Sequence, residues 1–324
     1  MTVGKLMSTH PSLRIAMLSI HSSPMGPLGT LNTGGMSVYV RELARWLGAA
    51  GHRIDIFTYA PGHRREITLF PGVRLIHLNG KSGDIAKEQL PNHLQQVFDA
   101  LEAYRHSQGL IYDLVHSHYW LSGVVGAMAQ THWGCPHLTI FHTLGVLKNK
   151  TDSEEIEPDH RIAHERKLVH SADGIVVPAR KELDNLLLDY YAPPEKISVI
   201  PCGVNLEQFQ PLDRMAARAA IGLAKDDLVA LYVGRFAPLK GLDLLLAAMA
   251  RLKKRQPDLK LLVVGGDGPR STGTLELIEQ ARHLGIMAQV SFVGRVKHDN
   301  LPNYYNAADL LVVPSHYESF GLVV

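Results

Sequence analysis

Apolar residues along this chain follow two rhythms. Short unbroken runs read as buried strands: RIAMLSIH (14–21), RIDIFTY (53–59), VRLIHL (73–78), DLVHSH (113–118), HLTIFH (137–142), GIVVP (174–178) and KISVIP (196–201). Longer stretches between them carry helical spacing. In GMSVYVRELARWLGAAGH, Met36, Val40, Leu43 and Leu47 fall on one stripe and Gly51 supplies the stop. LPNHLQQVFDALEAYRHSQG and ARKELDNLLLDYY read the same way. After VIPCGVNLEQFQP the rhythm restarts. Strands are predicted at 228–235, 259–266, 289–294 and 309–314, with helices near 242–255, 273–284 and 301–307.

Strands alternating with helices predict α/β architecture, with parallel sheets covered on both faces. Seven strands before residue 201 and four after it predict two doubly wound units, 1–203 and 204–324, hinged at PCGVN. Ligands of such sheets bind beyond the carboxyl ends of the strands, so a cleft between the units is the expected site. Composition changes this picture little: 324 residues suit two domains, and 46% hydrophobic with 20% charged residues suits ordinary cores. A net charge of +2 exerts no general pull on nucleic acid or anionic lipid, so single cations matter by position. Cys135 and Cys202 fit neither a disulfide framework nor a zinc ligand set. No apolar stretch approaches the ~18 residues that span a bilayer, and MTVGKLMSTHPS lacks a signal-peptide core. A soluble, cytoplasmic protein is expected.

Candidate chemistry gathers at the predicted strand ends. HSSPMGPLGTLNTGGMSVYV leaves a strand at His21, and Gly34 and Gly35 open a helix whose free amides could hold an anion. A tightly packed turn explains the same glycines. In VGRFAPLKG, Arg235 and Lys240 could neutralise a diphosphate or be two solvated cations; their place after a strand favours the first. VGGDGP, with Gly266, reads as a turn where backbone approaches ligand. His116 and His118 alternate in HSHYW and so share a face. They could seed a metal site, but the further ligands such a site needs are not found, and a polar cleft wall is the better reading. His142 and Thr143 follow a strand directly, where a core histidine is the rival reading of His142.

Taken in order, NTGGMSVYVRELARWLGAAGH, FHTLGVLKN, VGRFAPLKG, VVGGDGP and VVPSHYESFGLVV resemble the retaining glycosyltransferases of family 4, also called group 1. That group includes sucrose-phosphate synthase and the inositol-phosphate N-acetylglucosaminyltransferase of mycothiol synthesis. The likeness runs from about Arg14 to Val324, and HSHYWLSG, IAKEQLP and HTLGVLKN bring it closer to the mycothiol enzyme.

The resemblance implies GT-B architecture, two Rossmann-like domains facing a cleft, and transfer of a hexosyl group from a nucleotide sugar, UDP-linked by family weight, with retention. On the donor side it implies Arg235 and Lys240 at the diphosphate and backbone approach at Gly34, Gly35 and Gly266. It also implies base contact through the backbone of Val296, and sugar hydroxyls on Glu318 with the amides of Phe320, Gly321 and Leu322 nearby. His142 would lie beside the reacting sugar. On the acceptor side, Lys87, Tyr119, Thr143 and Arg161 match positions that hold phosphorylated inositol, and His21 and Asn32 match cleft residues. Ser37 stands where the mycothiol pattern has Asn, which puts the acceptor in doubt more than the donor.

No carboxylate pair for a double displacement is evident, and no cofactor is required for the chemistry, because Arg235 and Lys240 supply positive charge; magnesium is possible but not indicated. The partners implied are the donor and a small anionic acceptor, with a homodimer left open. A nucleotide-sugar epimerase and a non-catalytic sugar-nucleotide-binding module remain as alternatives. The family pattern runs on to a second glutamate eight residues after Glu318, past Val324. The second domain is therefore expected to be incomplete here, the natural chain to continue, and this piece to turn over poorly.

Overall fold

The computed structural model describes residues 11–26, 34–59, 65–78, 87–150, 156–266, 268, 270–318 and 321–324, with only the backbone of 87–88. The chain divides into two units. One runs to Gly26 and from Met36 to Cys202; the other holds Gly203–Val324 together with Gly34 and Gly35.

The first unit carries β1 (Arg14–Leu18), β2 (Arg53–Tyr59), β3 (Glu66–Phe70), β4 (Val73–Leu78), β5 (Leu114–His118), β6 (His137–Ile140), β7 (Gly174–Val177) and β8 (Ile197–Val199). Their order in the sheet is β3-β4-β2-β1-β5-β6-β7-β8. All pairings are parallel except β3 with β4. Strand β3 was not expected from the pattern. EITLF is half exposed, turns back through Gly72 at φ +75°, and adds an antiparallel edge that a search for buried runs passes over.

Helices α1 (Gly35–Ala49), α2 (Leu94–Ser107), α3 (Trp120–Trp133), α4 (Gly145–Asn149), α5 (Asp159–Ser171) and α6 (Arg180–Tyr190) complete this unit. Helix α1 packs Val40 and Ala44 on Ile15, Met17, Ile54 and Ile56, as its apolar stripe requires. The pattern did not delimit α3 and α5. Helix α3 is apolar on most sides and buries Trp120, Leu121, Val125 and Ala129, whereas α5 is mostly polar.

The second unit places β9 (Leu228–Gly234), β10 (Leu259–Gly265), β11 (Val290–Gly294) and β12 (Leu310–Leu311) in the order β11-β10-β9-β12, all parallel. Its helices are α7 (Arg214–Ala220), α8 (Leu242–Leu252), α9 (Thr272–His283) and α10 (Leu301–Ala307). Alternate strand residues serve opposite faces. Ala230, Tyr232, Leu261 and Val263 meet Leu242, Leu246, Met249 and Ala281 on one side. Val229, Leu231, Leu262 and Val264 meet Leu301, Tyr304 and Tyr305 on the other. Burial on both faces explains the unbroken apolar runs. Strand β12 is shorter than the expected 309–314. Among the described residues no helix is long and apolar enough to cross a membrane.

Candidate active site

In the first unit, side chains converge where β1, β5 and β6 end. Two of these strands end in strained residues: Tyr119 follows β5 at φ 74° and His142 follows β6 at φ 60°. Positive φ costs an ordinary residue roughly 1–3 kcal/mol and tends to mark working positions; with ψ 155°, Tyr119 lies in a region that favours glycine almost alone. Tyr119 N–H donates to Ile140 O at 2.8 Å, which ties the two strand ends together.

Four of the predicted acceptor residues meet here. The His21 ring lies 4.3 Å from that of Tyr119, and the Arg161 guanidinium sits over the Tyr119 ring at 4.9 Å. Arg161 comes from α5, its side chain only 1% exposed. Its Nη2 donates to Thr143 O at 2.9 Å and Thr143 Oγ1 at 3.0 Å, and its Nε donates to Glu165 Oε1 at 2.7 Å. Glu165 is fully buried and accepts from Gly145 N–H at 2.9 Å and from the Tyr190 hydroxyl. Nη1 of Arg161 lies 2.8 Å from Glu157 Oε2 but finds no hydrogen-bond geometry. Glu157 also pairs with Lys148. Lys87 opens a 3-10 helix, Lys87–His93, and Asn32 lies outside the described residues. Ser37 is turned inward, fully buried, with its hydroxyl 2.8 Å from Ser22 Oγ.

His142 meets His118, Nε2 to Nδ1 at 3.0 Å. Burial holds His142 down to about 3 and His116 down to about 4, and holds His118 well below its usual range, so all three are neutral at pH 7. Among the described residues no group of three or more His, Cys, Asp or Glu is arranged to hold a metal ion.

A second buried group stands at the start of α6. Glu182 is 2% exposed, and neither carboxylate oxygen has a hydrogen-bond partner among the described residues. Burial pushes it up to about 7, and burial with Glu182 pushes the Cys202 thiol up to about 11.

In the second unit, predicted donor residues sit after the carboxyl ends of β9, β10, β11 and β12, and Gly34 and Gly35 stand at the start of α1. Arg235 follows β9 and its carbonyl accepts from the Tyr232 hydroxyl at 2.8 Å. Lys240 ends a 3-10 turn, Pro238–Lys240, just before α8. Its Nζ lies 2.5 Å from Glu318 Oε1, which also accepts from Ser315 Oγ at 3.1 Å. Gly241 between turn and helix has φ +62°, and a Cβ there would come 2.3 Å from Pro314 O, so the loop lies tightly against VVPSHYE, where His316 N–H donates to Leu239 O at 3.0 Å. Gly266 after β10 has φ +83° and lies against Phe236, where a Cβ would come within 2.5 Å. Val296 after β11 packs on the sheet, Gly321 has φ +80°, Leu322 is part exposed, and Phe320 is not among the described residues.

The model of Glycosyltransferase Family 4 matches residues 33–208, and that of glycosyl transferases group 1 matches residues 213–324. The chain belongs to glycosyltransferase family 4. The glycosyltransferase is 42% identical to D-inositol 3-phosphate glycosyltransferase 2 of Catenulispora acidiphila, over 96% of this chain and 75% of that protein. It is 36% identical to the sucrose-phosphate synthase of Thermosynechococcus elongatus, with a TM-score of 0.85 over 96% of this chain and 77% of that one. HepE of Anabaena, solved with UDP-glucose, shares the fold at 19% identity and a TM-score of 0.72, over 96% and 76% of the two chains. The architecture of the glycosyltransferase is thus GT-B.

Motif reading missed the groups behind the front row: Tyr39, Glu157, Glu165 and Glu182. Glu165 left one trace, an opposite charge four residues after Arg161 on the same helix.

Proposed function

We propose that this glycosyltransferase moves a hexosyl group from a UDP-sugar to a small phosphorylated polyol of the inositol phosphate kind, with retention of anomeric configuration. The meeting of Lys240 with Glu318 carries the donor half of this reading. A cation suited to a diphosphate and a carboxylate suited to sugar hydroxyls, 78 residues apart in sequence, share one hydrogen bond. Arg235, in the same loop as Lys240, adds a planar fork. The uridine is taken over from HepE, alike in fold, whose structure holds UDP-glucose. On the acceptor side, Arg161 brings a buried positive charge beside Tyr119 and Thr143, with Nη1 on the part-exposed Glu157 and its other nitrogens fixed, and the Catenulispora relative is named for an inositol phosphate.

In the proposed reaction the bond from C1 of the sugar to the donor phosphate breaks as the acceptor hydroxyl bonds to C1 from the same face. The hydroxyl proton passes to the departing phosphate oxygen. Arg235 and Lys240 stabilise the negative charge that builds on the diphosphate, so the chemistry needs no metal. His142 orients the reacting sugar. Two free cysteines, Cys135 and Cys202, suit the cytoplasm to which we assign the protein.

A panel of nucleotide sugars, each with and without inositol phosphates, tests the reading. Nucleotide release that depends on acceptor and survives EDTA is the expected result, with the product anomer read by NMR. Release or isomerisation without acceptor would instead make the protein a hydrolase or an epimerase. Lys87→Ala should raise the acceptor KM far more than the donor KM.

A further inference from the structure

Three imidazoles stand in file at the ends of β5 and β6. The rings of His116 and His118 are centred 4.4 Å apart, and those of His118 and His142 5.3 Å apart. Tyr39 from α1 closes the file, its ring 5.8 Å from His118 and 5.3 Å from His142. Tyr39 and His116 are titratable groups packed against the pair among the described residues, and neither is charged at pH 7: burial pushes Tyr39 up to about 12 and His116 down to about 4.

The contact between His118 Nδ1 and His142 Nε2, at 3.0 Å, needs one proton, and the geometry says whose it is. The other ring nitrogen of His118, Nε2, is buried with no hydrogen-bond partner among the described residues. A proton on that nitrogen would be a buried donor without an acceptor, which is rarer and more costly than an unused lone pair. A neutral His118 therefore carries its proton on Nδ1 and donates it to His142. Nε2 of His142 accepts, so the proton of His142 resides on Nδ1.

We propose that His118 is a positioning residue that holds His142 as the Nδ1–H tautomer, so that His142 meets its substrate as a neutral hydrogen-bond donor and not as a base. The role rests on reading His142 as the residue beside the reacting sugar; the tautomer does not. The ligand atom that suits such a donor is an oxygen of the transferred sugar or its phosphate. A general base is thereby removed from the site, and the acceptor proton has to leave on the nucleotide.

The test uses the protein labelled with ¹⁵N-histidine, without ligand, together with three variants. His118→Asn keeps an N–H close to the position of Nδ1. His118→Leu removes the donor. His118→Asp offers an acceptor and should pull the proton of His142 to Nε2. We expect the parent and His118→Asn to show Nδ1–H at His142, and His118→Asp to show Nε2–H. In transfer assays, His118→Leu and His118→Asp should lose about tenfold to a hundredfold in kcat, the usual size for a partner that orients a histidine. The donor KM should change little and His118→Asn should restore most of the rate. Nε2–H in the parent, or a His118→Leu protein that keeps both tautomer and kcat, overturns the proposal. Should the parent transfer no sugar at all, the spectra still decide the tautomer while the functional reading falls separately. The Asn and Leu proteins suffice for the comparison where the Asp protein does not fold.

Discussion

Two arginines, one in each unit, lie almost wholly inside the protein and are used in opposite ways. Arg218 in α7 spends its guanidinium on structure. Nε donates to Ala307 O at 3.0 Å, Nη1 donates to the carbonyls of Ala224 and Lys225, and Nη2 donates to Asp309 Oδ2 at 3.0 Å. Every arm ends on an acceptor, and most of these are backbone carbonyls. Arg161 has two arms fixed in the same manner, on Glu165 and Thr143, but its third meets Glu157 by charge alone. That third arm is held by a part-exposed carboxylate, which also pairs with Lys148, and not by the backbone. The difference shows that burial does not separate the two arginines; the kind of acceptor that each arm meets does.

The comparison can be broken most sharply by deletion. Arg161→Ala strands the fully buried Glu165 carboxylate and should cost about 3–5 kcal/mol in urea unfolding. Arg218→Ala should cost less, about 1–3 kcal/mol, since it leaves carbonyls and an Asp309 that still pairs with Arg214. Equal losses would mean that the two arginines do the same work.

Next comes the second unit's own cation. Lys240→Ala should lower kcat by about 10²–10³-fold, as loss of one donor to a developing oxyanion does. Its part-exposed pair with Glu318 should leave stability within about 1 kcal/mol.

Acidity then divides groups within the first unit. His116 and His142 titrate near 4 and 3 in the fold and near ~6.5 when unfolded, so the unfolded chain binds more protons between those values. The stability they lend is whole above about pH 6.5 and drains away as pH falls toward 4. Glu182 runs the other way. Held near 7 in the fold against ~4.3 unfolded, it favours the fold below about pH 4.3 and loses that favour as pH rises through 7. Glu182→Gln should therefore gain up to about 3 kcal/mol at pH 8 and almost nothing at pH 4. A gain of the same size at both values would place the benefit elsewhere.

The smallest effect concerns the arm that meets Glu157. Glu157→Gln removes the charge that Arg161 Nη1 faces and should lower the KM of an anionic acceptor by roughly threefold, the worth of a part-exposed ion pair.

Much of this molecule was legible in its pattern of residues. Runs such as LVALYVGR and LKLLVVGG could only be buried on both faces, and they became β9 and β10 side by side in a parallel sheet. The family followed from loops whose glycines and cations stand at strand ends. Strand β3 and helices α3 and α5 escaped because their environments, a half-exposed edge, an all-round burial and a polar face, erase the periodicity that pattern reading needs. The pairing of His118 with His142 escaped for another reason: 24 residues separate them, and only the side-by-side course of β5 and β6 brings them together. Glu157 and Glu182 stand on polar stretches, where nothing in the pattern marks a buried carboxylate.

The strained backbone at Tyr119 and His142 bears on how the sequence responds to selection. Folding alone would favour glycine residues at both places, since glycine sits at positive φ with less penalty. A library sorted only for heat resistance should therefore drift toward those residues at 119 and 142 and shed transfer activity as it does so. One sorted for turnover should return to an aromatic ring and an imidazole. The two pressures would pull the same two codons apart, which makes these positions a record of what the protein has been selected for.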